Sequence, residues 1–196
     1  MAVNLDTAVL IGVVLSILLF VPRAAKLKAA ELIVTDEGVI RERTPQDNPA
    51  DAASSVRASS PVIYDLEGEL FFGAAPELDR YLEALHARIR DENLKVVILR
   101  WKRVRHPDVV CIERLEHFIR EQQELGVTVL LAGVRPDSLA LLQNVGFTDW
   151  LPAEQVFPEE DREFSATLKA VRYAQTRLAE TPSDPAAHQE KLYYLV

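Results

Sequence analysis

Two short apolar segments, LKVVIL at residues 94–99 and VTVLLA at residues 127–132, constrain the fold most strongly. Each is nearly free of polar residues, which is the pattern of a strand buried on both faces of a sheet. Between them, residues 108–124 place apolar side chains at helical spacing, and Gly126 supplies a helix stop. This order predicts two parallel strands joined by a right-handed crossover, and therefore an α/β fold.

The flanking segments extend this unit. Residues 61–73 predict a strand, a break at Glu67-Gly68 and a second short strand, and residues 75–93 predict a helix with Pro76 at its first position. A short helix at residues 135–147 follows the second buried strand. We therefore predict a mostly parallel sheet of four to five strands with helices, and an amphipathic helix after it.

The chain begins with a long apolar segment, LDTAVLIGVVLSILLFVP at residues 5–22. A secretory signal would carry positive charge before such a segment, and a buried helix would show a polar face; this segment has neither. Its length approaches the roughly 20 residues of a membrane span. We predict one transmembrane helix, and the basic residues after it place the N-terminus outside and the rest of the chain on the cytoplasmic side of the inner membrane. These residues are Arg23, Lys26 and Lys28.

Composition limits the remaining possibilities. The 196 residues carry a net charge of −8 with no long basic block, so we expect no nucleic-acid partner. The single cysteine, Cys111, cannot form an intrachain disulfide and fits a reducing compartment. The predicted organisation is a transmembrane helix at 1–23, a juxtamembrane segment with a short hairpin and a flexible loop at 24–60, the α/β domain at 61–152, an amphipathic helix at 153–180 and a disordered tail at 181–196.

The loop after the first buried strand is the natural place to look for chemistry, because α/β proteins often put reactive groups there. It contains His106, Asp108 and Cys111 within six residues. A nucleophilic site needs a thiolate, a base within reach and a group that orients the base. Cys111 falls on the apolar stripe of the following helix, where a free cysteine is usually a small buried hydrophobe. We predict an exposed histidine, an aspartate that caps the helix, and no catalytic residue, with a reactive Cys111 as an alternative.

Other ligand sites have weak support. The four histidines show no pair at the i, i+4 spacing of a helical metal site and no second cysteine exists, so we predict no metal. The segment LAGVRPDS at residues 131–138 has one glycine and an arginine before a helix. Arg135 and Asp137 are therefore weak candidates for a nucleotide or anion site, and we predict no cofactor.

Four segments in order resemble the STAS domain, a fold shared by anti-sigma-factor antagonists and the cytoplasmic tails of SulP-type anion transporters. They are VIYDLEGELFFGAAPELDRYL, KVVILRWKRV, DVVCIERLEHFIREQQELGVTVLLAGV and LLQNVGF. The piece GELFFGAAPEL is more similar to the transporter branch. The N-terminal LDTAVLIGVVLSILLFVPRAAKLKAAEL resembles the last span of such a transporter and its cytoplasmic exit. The resemblance implies a STAS domain at residues 61–152.

The resemblance also bears on the loop. In many family members this loop runs Val-Pro-Phe-Ile-Asp-Ser/Ala-Ser/Thr-Gly-Leu, and in the sigma-factor branch a serine there is phosphorylated by a partner kinase. Here Asp108 keeps the aspartate, whereas Val109 and Val110 stand where hydroxyl residues would be and have no oxygen to accept a phosphoryl group. We therefore interpret the loop as a partner-binding surface that performs no reaction. Its candidate residues are Arg105, His106, Pro107, Asp108 and Val109.

By resemblance, the chain is a non-catalytic, membrane-tethered STAS domain, a regulatory or assembly module like the C-terminal part of a SulP-type sulfate or bicarbonate transporter. The implied partners are the membrane, a transporter transmembrane domain or another cytoplasmic protein, and a second copy of the chain. One span cannot by itself build a carrier's binding site. The alternative is a protein-binding module like the anti-sigma-factor antagonists, with phosphorylation displaced to Ser138 or Thr128.

Overall fold

This computed structural model describes residues 4–24, 27–34, 40–43 and 61–180 of the chain. Within these residues the strands are β1 (Lys28–Val34), β2 (Ile40–Glu42), β3 (Val62–Glu69), β4 (Val96–Arg105), β5 (Thr128–Val134) and β6 (Val156–Pro158). The α-helices are α1 (Leu5–Ala24), α2 (Ala75–Asp91), α3 (Val109–Glu124), α4 (Pro136–Asn144) and α5 (Ser165–Glu180). Residues 35–39 and 44–60 of the segment predicted to hold a hairpin and a flexible loop, and the predicted disordered tail at 181–196, lie outside the described residues.

The strands form one six-stranded sheet in the order β2-β1-β3-β4-β5-β6. Strands β3 to β6 pair in parallel, and β1 and β2 add an antiparallel edge. The predicted α/β fold with a mostly parallel sheet is confirmed. The predicted count of four to five strands is wrong, because it did not include β6. This strand has three residues, too few to show an alternation pattern, and it forms by pairing with β5.

Strand β3 also differs from its prediction, because no break occurs at Glu67-Gly68. The strand pairs with β4 as far as the Glu69–Arg105 pair, with a register shift between Asp65 and Glu67. Gly68 continues the strand with a φ of 133°, a conformation open to glycine. The polar second half of β4 was likewise missed, because its residues lack the apolar pattern of the first half and join the sheet by pairing with β3.

Helices cover both faces of the sheet, and the apolar clusters on the two faces differ in size. Helices α2 and α3 lie on one face, where α2 buries a stripe at helical spacing: Leu78, Leu82, Leu85 and Ile89. Helix α5 packs on strands β4, β5 and β6 from the opposite face. It begins at Ser165, 12 residues after the start of the predicted segment at 153, because a 3-10 turn at Ala153–Gln155 and β6 come first and residues 159–164 form a connection. The loop between β4 and α3 lies at the carboxyl edge of the parallel strands.

Helix α1 spans 20 residues and lies close to its predicted position. Several large apolar side chains of α1 are exposed: Leu5, Val9, Leu10, Ile11, Val13, Val14, Leu15 and Leu19. In the described parts of the chain, however, no helix combines the length and the apolar character that crossing a membrane requires. The predicted transmembrane helix is therefore not supported.

Candidate partner-binding site

Backbone hydrogen bonds fix the loop between β4 and α3 to the segment that follows β3. The Leu70 N–H donates to the Arg105 carbonyl oxygen at 2.8 Å, and the Asp108 N–H donates to the Leu70 carbonyl oxygen at 3.0 Å. Because the two segments satisfy each other's backbone groups, the loop is held in one conformation by the core of the domain. Leu70 itself is fully buried, which anchors the pair.

The carboxylate of Asp108 joins two structural elements. One of its oxygens accepts a hydrogen bond from the Cys111 N–H at 3.0 Å, which makes Asp108 the N-cap of α3. The other oxygen accepts from the backbone N–H of Phe72, at the start of the 3-10 turn Phe72–Ala74. A negative charge at this position also complements the dipole of α3. One side chain therefore fixes the relative positions of α3 and of the turn that carries Phe72.

His106 forms the outer corner of the loop. Its backbone adopts a φ of 43°, in the left-handed region that is costly for residues other than glycine. Its Nδ1 atom lies 2.6 Å from the Glu69 Oε2 atom, and its side chain is 83% exposed. His106 and Glu69 thus form a polar pair on the surface at the ends of β3 and β4.

Cys111, unlike the exposed His106, lies in the interior of the domain. Its side chain is fully buried, and the Sγ–H donates to the Phe71 carbonyl oxygen at 3.2 Å. Burial, with the negative charge of Asp108 beside it, raises the pKa of the Cys111 thiol to about 12. The thiol is therefore protonated at neutral pH, and His106 contacts Glu69 instead of this sulfur. The arrangement gives the alternative of a nucleophilic cysteine no support.

Apolar side chains project into solvent beside the loop. Phe72 is 64% exposed, Val109 is 45% exposed and Val110 is 41% exposed. We call these three residues the Phe–Val patch. The Phe71 ring packs edge to face against the Phe72 ring, with centroids 5.4 Å apart, and so supports it from behind. Exposed apolar groups on a backbone fixed by hydrogen bonds form a preorganised contact surface.

The loop predicted from the sequence includes Val109 but not Phe72 or Val110, and nothing in the sequence indicated the Glu69 contact with His106. The segment LFFG contains a partial signal, because two successive phenylalanines rarely both face a core. Which of the two faces outward depends on the 3-10 turn and on its hydrogen bond to Asp108. That bond joins residues 36 positions apart, so it is not visible in local sequence.

Two other kinds of site were considered from the sequence, an anion site and a metal site. Arg135 and Asp137 stand at the start of α4, where Arg135 Nε lies 3.3 Å from Asp137 Oδ1 and both side chains are substantially exposed. The pair satisfies itself at the surface, and the anion site stays a prediction. Among the described residues no group of three His, Cys, Asp or Glu side chains could hold a metal ion. His188 lies outside those residues.

Together, the fold and the loop define a small α/β domain with a fixed loop at the carboxyl edge of its parallel strands. The comparison with protein families identifies the domain: the family described as "STAS domain" matches residues 52–162. The chain belongs to the STAS domain family. A search among curated protein sequences finds no significant match.

Several solved structures are similar to the chain. A sulfate transporter family protein from Wolinella succinogenes is 34% identical, over 61% of this chain and 87% of that chain, with a TM-score of 0.48. Murine Solute Carrier 26 family member A9, an anion transporter, is 18% identical over 86% of this chain, with a TM-score of 0.62. The chain spans only 25% of that transporter. An anti-sigma factor antagonist from Mycobacterium paratuberculosis is 16% identical over 76% of this chain and 96% of its own, with a TM-score of 0.47.

Proposed function

We propose that the chain is a non-catalytic regulatory or assembly module of a SulP-type anion transporter, and that it binds its partner through the loop at residues 105–109 together with the Phe–Val patch. The observation that carries this proposal is the combination of an apolar, solvent-exposed tip with a backbone fixed by the Asp108 carboxylate. Binding to such a surface needs little ordering of the free domain, which favours affinity. None of the three patch residues has a side-chain atom suited to covalent chemistry.

Two findings support the transporter branch over the sigma-factor branch. The protein of the sulfate transporter family from Wolinella succinogenes is 34% identical to the chain, about twice the 16% identity of the anti-sigma factor antagonist. Val109 and Val110 remove the hydroxyl group on which a phosphorylation switch in this loop would depend. Ser138, the displaced acceptor considered above, is 2% exposed, so a kinase would have to unfold α4 to reach it.

We also propose that α1 joins the domain to the membrane part of the transporter, with the domain on the cytoplasmic side of the inner membrane. The support is the surface of α1. Val9, Leu10 and Ile11 are each at least half exposed, although successive helical residues point about 100° apart. At residues 9–11, apolar side chains therefore point in widely different directions around the helix, and a helix segment of this kind favours an apolar environment. Neighbouring membrane helices and lipid together provide one.

Fractionation tests the membrane part of the proposal. The full chain, expressed in a bacterial host, should sediment with membranes and resist extraction by carbonate, and detergent should release it. A variant that lacks residues 1–24 should stay in the supernatant. If the full chain remains in solution without detergent, the membrane proposal is wrong, whereas the proposal for the loop stands on its own test.

The loop is tested with a paired substitution in the Phe–Val patch, Phe72→Ser with Val110→Ser. The matched control is Leu125→Ser, because Leu125 is 59% exposed just beyond the other end of α3. The binding partner in the assay is the membrane domain of a SulP-type transporter from the same organism, purified without its own cytoplasmic domain. Loss of one apolar anchor at the centre of an interface typically costs about 2 kcal/mol. We expect the double variant to bind at least about 30-fold more weakly.

The control variant should bind like the unmodified chain. Thermal unfolding of both variants should match that of the unmodified chain, since the replaced side chains are exposed. Equal affinity of the double variant and the control would contradict the assignment of the patch. Phosphate found on Thr128 after incubation with ATP and cell lysate would instead favour the sigma-factor-antagonist alternative.

A further inference from the structure

The side chains that α5 buries on its face of the sheet are mostly small. Ala166, Ala170 and Ala174 are buried at every fourth position of α5, so that their methyl groups form one line against the strands. The apolar cluster on this side of the sheet contains nine buried residues, three of which belong to α5, whereas the cluster on the side of α2 and α3 contains 27 in the described part of the chain. Each alanine removes little apolar surface from water. Val171 is also buried there, and Tyr173 and Leu178 are partly buried, but the apolar contact under α5 remains smaller than the one under α2 and α3.

A charged pair lies at one end of this contact. Arg100 on β4 and Asp65 on β3 form an ion pair of 2.7 Å, and their side chains are 1% and 5% exposed. Two of their buried polar atoms, Arg100 Nη2 and Asp65 Oδ1, have no hydrogen-bond partner. Atoms of this kind destabilise the covered state, because they would regain water if the cover were removed. The face under α5 is thus better suited to intermittent exposure than a wholly apolar face would be.

The contacts at the beginning of α5 are ionic and partly solvated. Glu163 Oε1 lies 3.5 Å from Arg100 Nη2 and 3.8 Å from Arg103 Nη2, while its side chain is 57% exposed. The ring of Phe164 lies over the Arg100 guanidinium at 4.6 Å, and Phe164 adopts a φ of 65°. Exposed ion pairs are weak and are screened by salt, and a left-handed φ is strained for phenylalanine. We call Glu163 and Phe164 the clamp of α5.

We propose that α5 is a releasable strap, which detaches from the sheet as one unit while the sheet, α2 and α3 stay folded. The family match ends at residue 162, shortly before α5 begins at Ser165, so the strap lies outside the residues that the family model matches. Its release would bare the Arg100–Asp65 pair and the sheet face around it, opposite the face covered by α2 and α3. The domain would then have a conformational switch that is independent of the loop and of the Phe–Val patch.

Native-state hydrogen exchange of the full chain tests this proposal by mass spectrometry. Amides in the middle of α5, at residues 169–176, should exchange at least about 100-fold faster than amides of β4 and β5, because they open without global unfolding. Raising the salt concentration from 0.05 M to 1 M should increase exchange in α5 and leave the β4 rate unchanged, since salt screens the clamp. Equal protection of α5 and β4, within about threefold, would overturn the proposal.

The clamp is tested with Glu163→Gln, and the matched control is Glu113→Gln on α3. The clamp variant should raise the exchange rate of α5 by about three- to tenfold, with no change in β4 or β5. The control should leave α5 unchanged. If Glu163→Gln accelerates β4 as much as α5, the helix unfolds only together with the whole domain, and the strap does not exist as a separate unit.

Discussion

Replacing Arg100 by methionine removes the only cation that forms a hydrogen bond with the Asp65 carboxylate among the hydrogen bonds of the described residues. The two side chains are almost completely buried, so the remaining carboxylate would be left unpaired in a dry environment. Breaking one partner of a buried ion pair costs about 3–5 kcal/mol. Arg103 lies 3.8 Å from Asp65 and offsets part of this cost. We therefore expect Arg100→Met to lower the free energy of unfolding by about 3 kcal/mol at pH 7.5.

The loss should depend on pH in a definite direction. Burial raises the pKa of Asp65, and the nearby charge of Arg100 is the strongest opposing influence. Without Arg100 the pKa of Asp65 in the folded protein rises further above its value in the unfolded chain. A carboxyl group of this kind stabilises the fold below the unfolded pKa, and that contribution is lost as the pH rises through the folded pKa. The defect of Arg100→Met should consequently shrink as the pH falls from 7.5 towards 5.

Urea denaturation of the full chain, followed by tryptophan fluorescence, gives the necessary free energies. Trp101 is 1% exposed and neighbours Arg100 on β4, so its emission reports unfolding of the sheet. The matched control is Arg103→Met, whose side chain is 49% exposed on the same strand and should matter by no more than about 1 kcal/mol.

A second variant separates charge burial from packing. Combining Asp65→Leu with Arg100→Met removes both charges, and we expect its stability to return to within about 1 kcal/mol of the unmodified chain. The reasoning is refuted if Arg100→Met costs no more than Arg103→Met at pH 7.5, or if its defect is the same at pH 5. Either result would mean that Asp65 finds another partner or remains solvated.

Two further predictions concern the loop. Cys111 should not react with iodoacetamide in the native chain, because its thiol is buried and its pKa is raised to about 12, and it should react fully in urea; mass spectrometry checks both. Native modification at full stoichiometry would contradict the burial. Asp108→Ala should lower the free energy of unfolding by about 1–2 kcal/mol, because the cap of α3 and the acceptor for the Phe72 N–H are lost together. Asp108→Asn should retain most of that stability. If Asp108→Ala costs no more than Asp137→Ala at an exposed position, the two hydrogen bonds of Asp108 do not contribute to stability as proposed.

The sequence predicted the fold where burial imposes a regular pattern. Residues 94–99 and 127–132 are apolar because both faces of β4 and β5 are covered at these positions, and the helices carry apolar stripes for the same reason. Strand β6 has no such pattern, because it consists of three edge residues that gain order from β5. The second half of β4 mixes buried residues (Arg100, Trp101 and Val104) with exposed charged ones, so it lacks a continuous apolar run, and its pairing with β3 shows that it is a strand.

The candidate site was predictable in position but not in composition. A loop between a parallel strand and the next helix must lie at the carboxyl edge of the sheet, and this rule located residues 105–109. Phe72 reaches the same place from a different part of the chain, through a hydrogen bond that no local pattern encodes. The Asp65–Arg100 pair was missed for a similar reason. A single charge inside an apolar strand is visible in sequence, but its partner depends on the register that places these two residues side by side.

Asp108 shows why a resemblance between loops does not by itself transfer a reaction. In the sequence, Asp108 precedes two positions at which many members of the resembled family carry hydroxyl groups. On that ground alone, Asp108 could be interpreted as part of a phosphorylation site. In this structure both carboxylate oxygens of Asp108 accept backbone N–H groups, from Cys111 and from Phe72. Its presence is therefore explained by the architecture of the loop alone. An aspartate with this capping role is needed whether or not a phosphoryl acceptor follows it, and here the two positions that follow carry the exposed apolar side chains of Val109 and Val110.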